Sequence, residues 1–327
     1  MYDPDGPIAP DSSLFGLPHS FEEAHVIVIP VPFDATVSYG HGCAGGPGAI
    51  RRASCQLDLL DQTYGPIHER GIHMLEIDDA IRQRSIDARA MVGPFLERGE
   101  IPGAEIIERV DAICEEVRLW VRSQVARVLG ASKLPIVLGG EHAVSLGAIE
   151  ACTEGPAPAT SILQIDAHMD LRQAYEGLRH SHASVMWNAL DARPDLRLVQ
   201  VGIRDSCEAE HGVASQERVS TFFDETLARA SFGGAPFGAI CDRILEDLGE
   251  TVYVTVDIDG LDPSLCPHTG TPVPGGLSFR ELMHLLGRVF QERTVVGCDL
   301  VEVGDDEWDG NVGARVLYRL CAANMKV

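Results

Sequence analysis

The chain has 327 residues, with 26 Lys and Arg against 49 Asp and Glu and a formal charge of −23. That length fits one large α/β domain or two small ones, and a hydrophobic share of 45% can build a core. Gly and Pro are scattered without a period, which excludes collagen, coiled-coil and disordered classes. The acidic balance argues against a nucleic-acid partner.

Taken in chain order, short apolar runs rich in β-formers alternate with stretches of helical period. The first run, HVIVIPV from His25 to Val31, follows an N-terminal extension, residues 1–24. The clearest helix spans about Gly103 to Leu129, where Ile106, Val110, Ile113, Val117, Val121, Val125 and Val128 recur at steps of three and four. Strands are predicted at Leu134 to Leu138, Ser161 to Ile165, Leu196 to Val201, Thr251 to Val256 and Val295 to Val301. Further helices are predicted at Phe237 to Leu248, Ser278 to Phe290 (Ser278 and Glu281 forming a capping box) and Asn311 to Ala323. Near-continuous hydrophobicity in the strands implies burial on both faces. The fold class is therefore α/β, a three-layer α/β/α arrangement around a mainly parallel sheet. With no internal repeat or linker, residues 1–327 read as a single domain, and the Gly/Pro-rich segments Gly40 to Gly48 and Pro267 to Gly276 read as site loops.

Nine cysteines lie far apart with no C-x-x-C pair, as in reduced cytosolic proteins. There is no signal-like N-terminus and no apolar run near ~18 residues, so a cytoplasmic protein without a membrane partner is expected.

Ligands of parallel sheets bind beyond the carboxyl ends of the strands. Three such ends carry metal-type side chains: Glu141 and His142 after LPIVL, Asp166, His168 and Asp170 after SILQI, and Asp257, Asp259 and Asp262 after TVYVTV. Any one carboxylate there could instead cap a helix or bind water. Converging together without a cation, however, they would repel one another strongly, and a divalent pair removes that cost. Many oxygens, few imidazoles and no thiolate favour Mn²⁺, with Ni²⁺ or Co²⁺ as alternatives.

These residues carry a specific resemblance. GGEH, DAHMD and VDIDGLDPSLCPHTGTPVPGGL are similar to the signatures of the arginase/agmatinase/formiminoglutamase family of binuclear metal ureohydrolases, and the likeness runs from VPFDATVSYGHGCAGGPGAIRRAS to DLVEV. The resemblance implies two Mn²⁺ per chain, one held by His142, Asp166, Asp170 and Asp257, the other by Asp166, His168, Asp257 and Asp259. Glu141 and Asp262 are implied to be supporting or capping groups. The metals would ionise a water for attack on the guanidinium carbon. By the same resemblance Asp170 passes the proton to the departing amine, Glu302 orients the guanidinium, and His182 shuttles a proton or contacts substrate. Spacing alone does not decide between His180 and His182, and His41 and His268 are weaker candidates.

The family pattern is most like agmatinase, implying a small cationic guanidino substrate: agmatine, giving putrescine and urea. Guanidinobutyrate, arginine and formiminoglutamate are the alternatives. Tyr175 and Glu176 would suit a cationic tail and Arg172 or Arg179 an acidic one, while Arg204, Asp205 and Trp187 leave the tail undecided. The rival of another class is a non-catalytic subunit of a heteromeric ureohydrolase. Relatives imply a homo-oligomer, a trimer or hexamer.

Overall fold

The computed structural model describes residues 8–9 and 12–326. Eight strands form one sheet in the order β2-β1-β3-β8-β7-β4-β5-β6, with every neighbouring pair parallel. They are β1 (Val26–Val31), β2 (Ile72–Met74), β3 (Leu134–Gly139), β4 (Ser161–Ile165), β5 (Arg197–Ile203), β6 (Val219–Phe223), β7 (Thr251–Asp257) and β8 (Thr294–Val301). The helices are α1 (Gly46–Ser54), α2 (Asp79–Leu96), α3 (Ala104–Gly130), α4 (Ser145–Glu154), α5 (Val185–Ala192), α6 (Glu208–Ala214), α7 (Asp224–Phe232), α8 (Phe237–Asp247), α9 (Phe279–Glu292) and α10 (Glu307–Leu320).

Successive strand residues point to opposite faces, so each strand feeds two cores. In β1, Val26 and Val28 join the core beneath α1, α9 and α10, whereas Ile27, Ile29 and Val31 join the one beneath α3 and α4. Leu14, Phe15 and Leu17, within the N-terminal extension, are buried in the first of these cores. Among the described residues no helix is long and apolar enough to cross a membrane.

All six expected strands and the four expected helices are present. Ser278 caps α9 in a full capping box with Glu281. The last helix departs from its expected start at Asn311, because Asp306 accepts from the Trp308 N–H and caps it at Glu307; it also ends earlier, at Leu320. The Gly40 to Gly48 segment is not a loop throughout, since α1 begins at Gly46 with Pro47 in its first turn.

The architecture matters most at the carboxyl edge. β3, β8, β7 and β4 are adjacent in space but distant in sequence, and they carry the residues of interest at their ends. Register brings those ends level: Ile165 pairs with Val256, and Asp257 pairs with Val301, so Asp166, Asp257 and Glu302 emerge together. Glycines permit the tight packing. A Cβ at Gly140 would lie 2.1 Å from the Phe33 carbonyl oxygen, and one at Gly260 would lie 2.7 Å from the Asp166 nitrogen.

Candidate metal centre and substrate cleft

The three strand-end motifs converge. His142 Nδ1 lies 3.0 Å from Asp170 Oδ2, 3.1 Å from Asp166 Oδ2 and 3.4 Å from Asp257 Oδ2. His168 Nδ1 lies 3.0 Å from Asp259 Oδ2 and 3.5 Å from Asp166 Oδ1. Asp166 thus faces both imidazoles, one with each oxygen. Asp257 Oδ1 accepts the Asp259 N–H at 3.0 Å, leaving Oδ2 on the side of His142. His142, Asp166 and Asp170 form one group able to hold a cation, and Asp166, His168 and Asp259 a second.

Hydrogen bonds decide how His142 presents itself. Thr255 spends its single hydroxyl proton on Asp299 Oδ1 at 2.6 Å, so it can only accept from His142 Nε2–H at 2.8 Å. Asp299 also accepts from the Tyr253 hydroxyl at 2.7 Å. Nδ1 is therefore the lone-pair side of the ring, turned toward three carboxylates. Lone pair against lone pair is stable only with a positive charge between, either a proton or a metal ion, and an imidazole so oriented by an outer carboxylate suits metal ligation. The donor set fits a pair of divalent cations.

The titration of the bare side chains shows the same tension. Burial opposes charge on His142, yet its bonds to Asp166, Asp170 and Asp257 carry it well above the usual imidazole value. Burial likewise opposes charge on His168, but Asp259 and Asp166 push it up to about 12. Burial, then the Asp166 charge, push Asp170 up to about 7, and burial with Asp259 and Asp166 raises Asp257 well above the carboxylate range. Protons here occupy positions that divalent ions would take.

Two of these residues have unusual backbones. Asp170 (φ +55°) and Glu302 (φ +61°) sit in the left-handed region that glycine favours. Such strain persists where the surroundings over-determine it, often at functional sites. The Asp170 carbonyl accepts from the N–H groups of Met186 and Trp187 at the start of α5, and the Glu302 N–H donates to the Gly140 carbonyl at 2.7 Å.

Glu302 is buried at the end of β8. Its Oε1 accepts the His142 N–H at 2.9 Å, while Oε2 has no nitrogen or oxygen partner among the described residues and faces Gly270, where a Cβ would approach it to 3.1 Å; the Cys43 thiol is the carboxylate's other side-chain neighbour. Burial pushes Glu302 up to about 8. His182 stands at the cleft wall, with Tyr175 edge-on at 5.8 Å. Burial, then the positive His168 and His142, press it down to about 3. His180 turns the other way, its Nε2 3.3 Å from Glu115 Oε2 on α3, so the structure separates the two histidines.

A cavity of about 250 Å³ opens above His168, Asp170 and His182, walled by Tyr39, Arg172, Tyr175, Asp205, Glu210 and Thr271 among others. Arg172 lies over the Tyr175 ring at 4.6 Å with its Nε 3.7 Å from Glu210 Oε2, and is thus already engaged. Asp205 is exposed and has no cationic partner among the described residues.

Other expected candidates lie elsewhere. Arg204 is spent on carbonyls of Gly202, Asp259, Leu261 and Val273, pinning two loops together. His41 lines a separate groove beside α2, and His268 is exposed next to Asp309. Arg179, Glu176 and Trp187 do not line the cleft. Asp262 caps a turn through Ser264, and Glu141 accepts both the N–H and hydroxyl of Thr36.

Thr36, Gln164, Gln200, Thr255 and Asp299 support the site without belonging to any of its sequence motifs. Gln164 Nε2 donates to Asp166 Oδ2 at 2.8 Å and its carbonyl accepts from Gln200 Nε2. For Gln164, Gln200, Thr255 and Asp299 the available signal is a polar residue inside an otherwise apolar strand run; Thr36, in the loop after β1, offers no such signal.

The Arginase family model matches residues 24–322. The N(1)-aminopropylagmatine ureohydrolase of Thermus thermophilus is 36% identical over 285 residues, covering 86% of this chain and 84% of that protein. The agmatinase of Bacillus cereus is 31% identical over 287 residues, covering 87% and 85%. Among solved structures, the agmatine ureohydrolase of Thermoplasma volcanium superposes with a TM-score of 0.75 at 27% identity, over 96% of this chain and 94% of that one.

Proposed function

The chain belongs to the arginase family of hydrolytic enzymes, and we propose that it cleaves the guanidino C–N bond of a linear guanidino compound with a cationic tail, agmatine first, giving putrescine and urea. The observation that carries this reading is the cluster of His142, Asp166, His168, Asp170, Asp257 and Asp259, of which His168 and Asp170 line a cleft that also carries Asp205, exposed and without a cationic partner among the described residues.

Those six side chains would hold two divalent metal ions, Mn²⁺ fitting an oxygen-rich set with two imidazoles; bound there, the metals would activate water for attack on a carbon that is otherwise a poor electrophile. The remaining chemistry belongs to the chain. Glu302, anchored through Oε1, offers Oε2 to guanidinium N–H groups. Asp170, fixed by its strained backbone, is placed to hand a proton to the departing amine. His182 completes the wall as a neutral imidazole able to take one.

The tail preference rests on charge. Arg172, the cation on the wall, is engaged by Glu210 and Tyr175, leaving Asp205 to meet an ammonium group, and the acidic surface would attract cations from a distance. A second reading, N(1)-aminopropylagmatine, is supported by the higher identity to the Thermus thermophilus relative. The test is a panel of agmatine, aminopropylagmatine, guanidinobutyrate, arginine and formiminoglutamate with Mn²⁺-loaded protein. A charge-assisted contact is worth ~1.5–3 kcal/mol, so kcat/KM for the purely cationic compounds should exceed that for the acids by at least about tenfold. Guanidinobutyrate or formiminoglutamate as the fastest substrate would overturn the tail assignment; no urea or ammonia from any compound would favour a non-catalytic subunit.

A further inference from the structure

Three polar groups outside the metal cluster are linked in a chain that ends on His182. Glu141, wholly buried, accepts through a single oxygen, Oε2, from both the Thr36 N–H (2.7 Å) and the Thr36 hydroxyl (3.0 Å). Thr36 is itself buried, in the loop after β1, 105 residues from Glu141 in sequence. With its proton committed to Glu141, the Thr36 oxygen has only lone pairs to offer. It uses one for the His182 N–H at 3.0 Å and lies 3.3 Å from the ring nitrogen Nδ1 of the same residue.

A hydroxyl that can only accept is compatible with a protonated Nδ1 and repels an unprotonated one. The other neighbour of Nδ1, the Ser181 hydroxyl, also 3.3 Å away, can serve as donor or acceptor and so follows whichever state Thr36 imposes. The two possible tautomers of His182 are therefore not equivalent, and the choice is made by a residue that does not line the cleft.

We propose that Thr36, oriented by Glu141, is a positioning residue that locks His182 in its Nδ1–H tautomer, so that Nε2 enters the reaction as a proton acceptor. The inference deepens the proposed hydrolysis and rests on it for the use made of Nε2, but the tautomer itself is independent of which substrate is turned over. In this role His182 takes a proton at Nε2 from substrate or water and returns it to solvent or to the leaving amine within the cycle, so no net proton is consumed. The Thr36 hydroxyl proton stays on its bond to Glu141 throughout.

Two readouts test it. In protein labelled with ¹⁵N at histidine and loaded with a diamagnetic divalent ion such as Zn²⁺, the ring signals lost in His182→Ala identify His182, and their shifts tell which nitrogen carries the proton. The expected result is Nδ1–H; an Nε2–H ring in the wild-type chain overturns the proposal whatever the enzyme acts upon. In kinetics with Mn²⁺, Thr36→Val should lower kcat by about 10- to 100-fold, a part of the 10²–10⁴ that a general acid or base supplies. KM for agmatine and the metal content should stay within about twofold, and Thr36→Ser should recover at least about a third of the wild-type kcat. A Thr36→Val enzyme with full metal content and near wild-type kcat contradicts it. So does a Thr36→Ser enzyme as slow as Thr36→Val, which would mark Thr36 as a packing residue. Should Thr36→Val fail to fold, the wild-type spectrum still decides.

Discussion

Replacing Thr255 by Val removes one hydroxyl and almost no volume, and it isolates the support of His142 from its ligating atom. In the wild-type chain Nε2–H reaches Thr255 at 2.8 Å and Thr255 reaches Asp299 at 2.6 Å, all three residues being buried. The variant leaves the His142 N–H unpaired in the interior and deprives Asp299 of one donor. An unsatisfied buried group costs ~1–3 kcal/mol, and loss of an outer-sphere partner costs about 10–100-fold in metal affinity. The two figures agree, because tenfold is about 1.4 kcal/mol. Titration calorimetry of metal-free protein with Mn²⁺ should show one of two sites weakened by that factor, the site built on His142, while the His168 site binds as before. Unchanged affinity at both sites, within about twofold, would refute the argument that the Asp299–Thr255 relay orients His142 for a metal ion.

Asp170→Asn should abolish turnover while the fold, followed by circular dichroism, persists; near wild-type rates would remove the proposed proton carrier. Asp205→Asn should raise KM for agmatine about tenfold and leave kcat within about threefold, since a charge-assisted contact of ~1.5–3 kcal/mol lies far from the reacting carbon; steady-state kinetics checks this. In chelator-treated protein, Asp170 and Glu302 titrate above their unfolded values, at about 7 and about 8. The folded state then binds more protons than the unfolded one, so stability is fullest below the ordinary carboxylate range and is lost as the pH rises through about 7 and about 8. Thermal melts of metal-free protein should therefore fall over that interval, and Mn²⁺ should flatten the slope by displacing the protons; a melting temperature that rises with pH there would contradict the assignment.

The strand ends were readable because each ends an apolar run with a cluster of ligand-type residues, and the family signatures supplied their pairing. What the sequence did not disclose has physical causes. β2 has three residues and β6 (VSTFF) is half-buried with polar members, so neither shows a strong apolar run. Helix α2 has Pro94 and Gly93 near its end and little amphipathic contrast. The orientation of His180 and His182 depends on contacts with Glu115 and Thr36, residues 65 and 146 positions away, and no local spacing encodes that. Gln164, Thr255 and Asp299 look like blemishes in core strands until the sheet places them beneath Asp166 and His142. Arg204, next to Asp205, resembles a site residue in sequence, but five hydrogen bonds from its three guanidinium nitrogens to four backbone carbonyls make it a loop clamp instead.

Crystals of the protein grown with Mn²⁺ and measured at the manganese absorption edge test the central claim most directly. The account predicts two anomalous peaks in each chain, one bound to His142 Nδ1 and the other to His168 Nδ1, with carboxylate oxygens of Asp166 reaching both. A single peak, or peaks lying away from these two nitrogens, would contradict it.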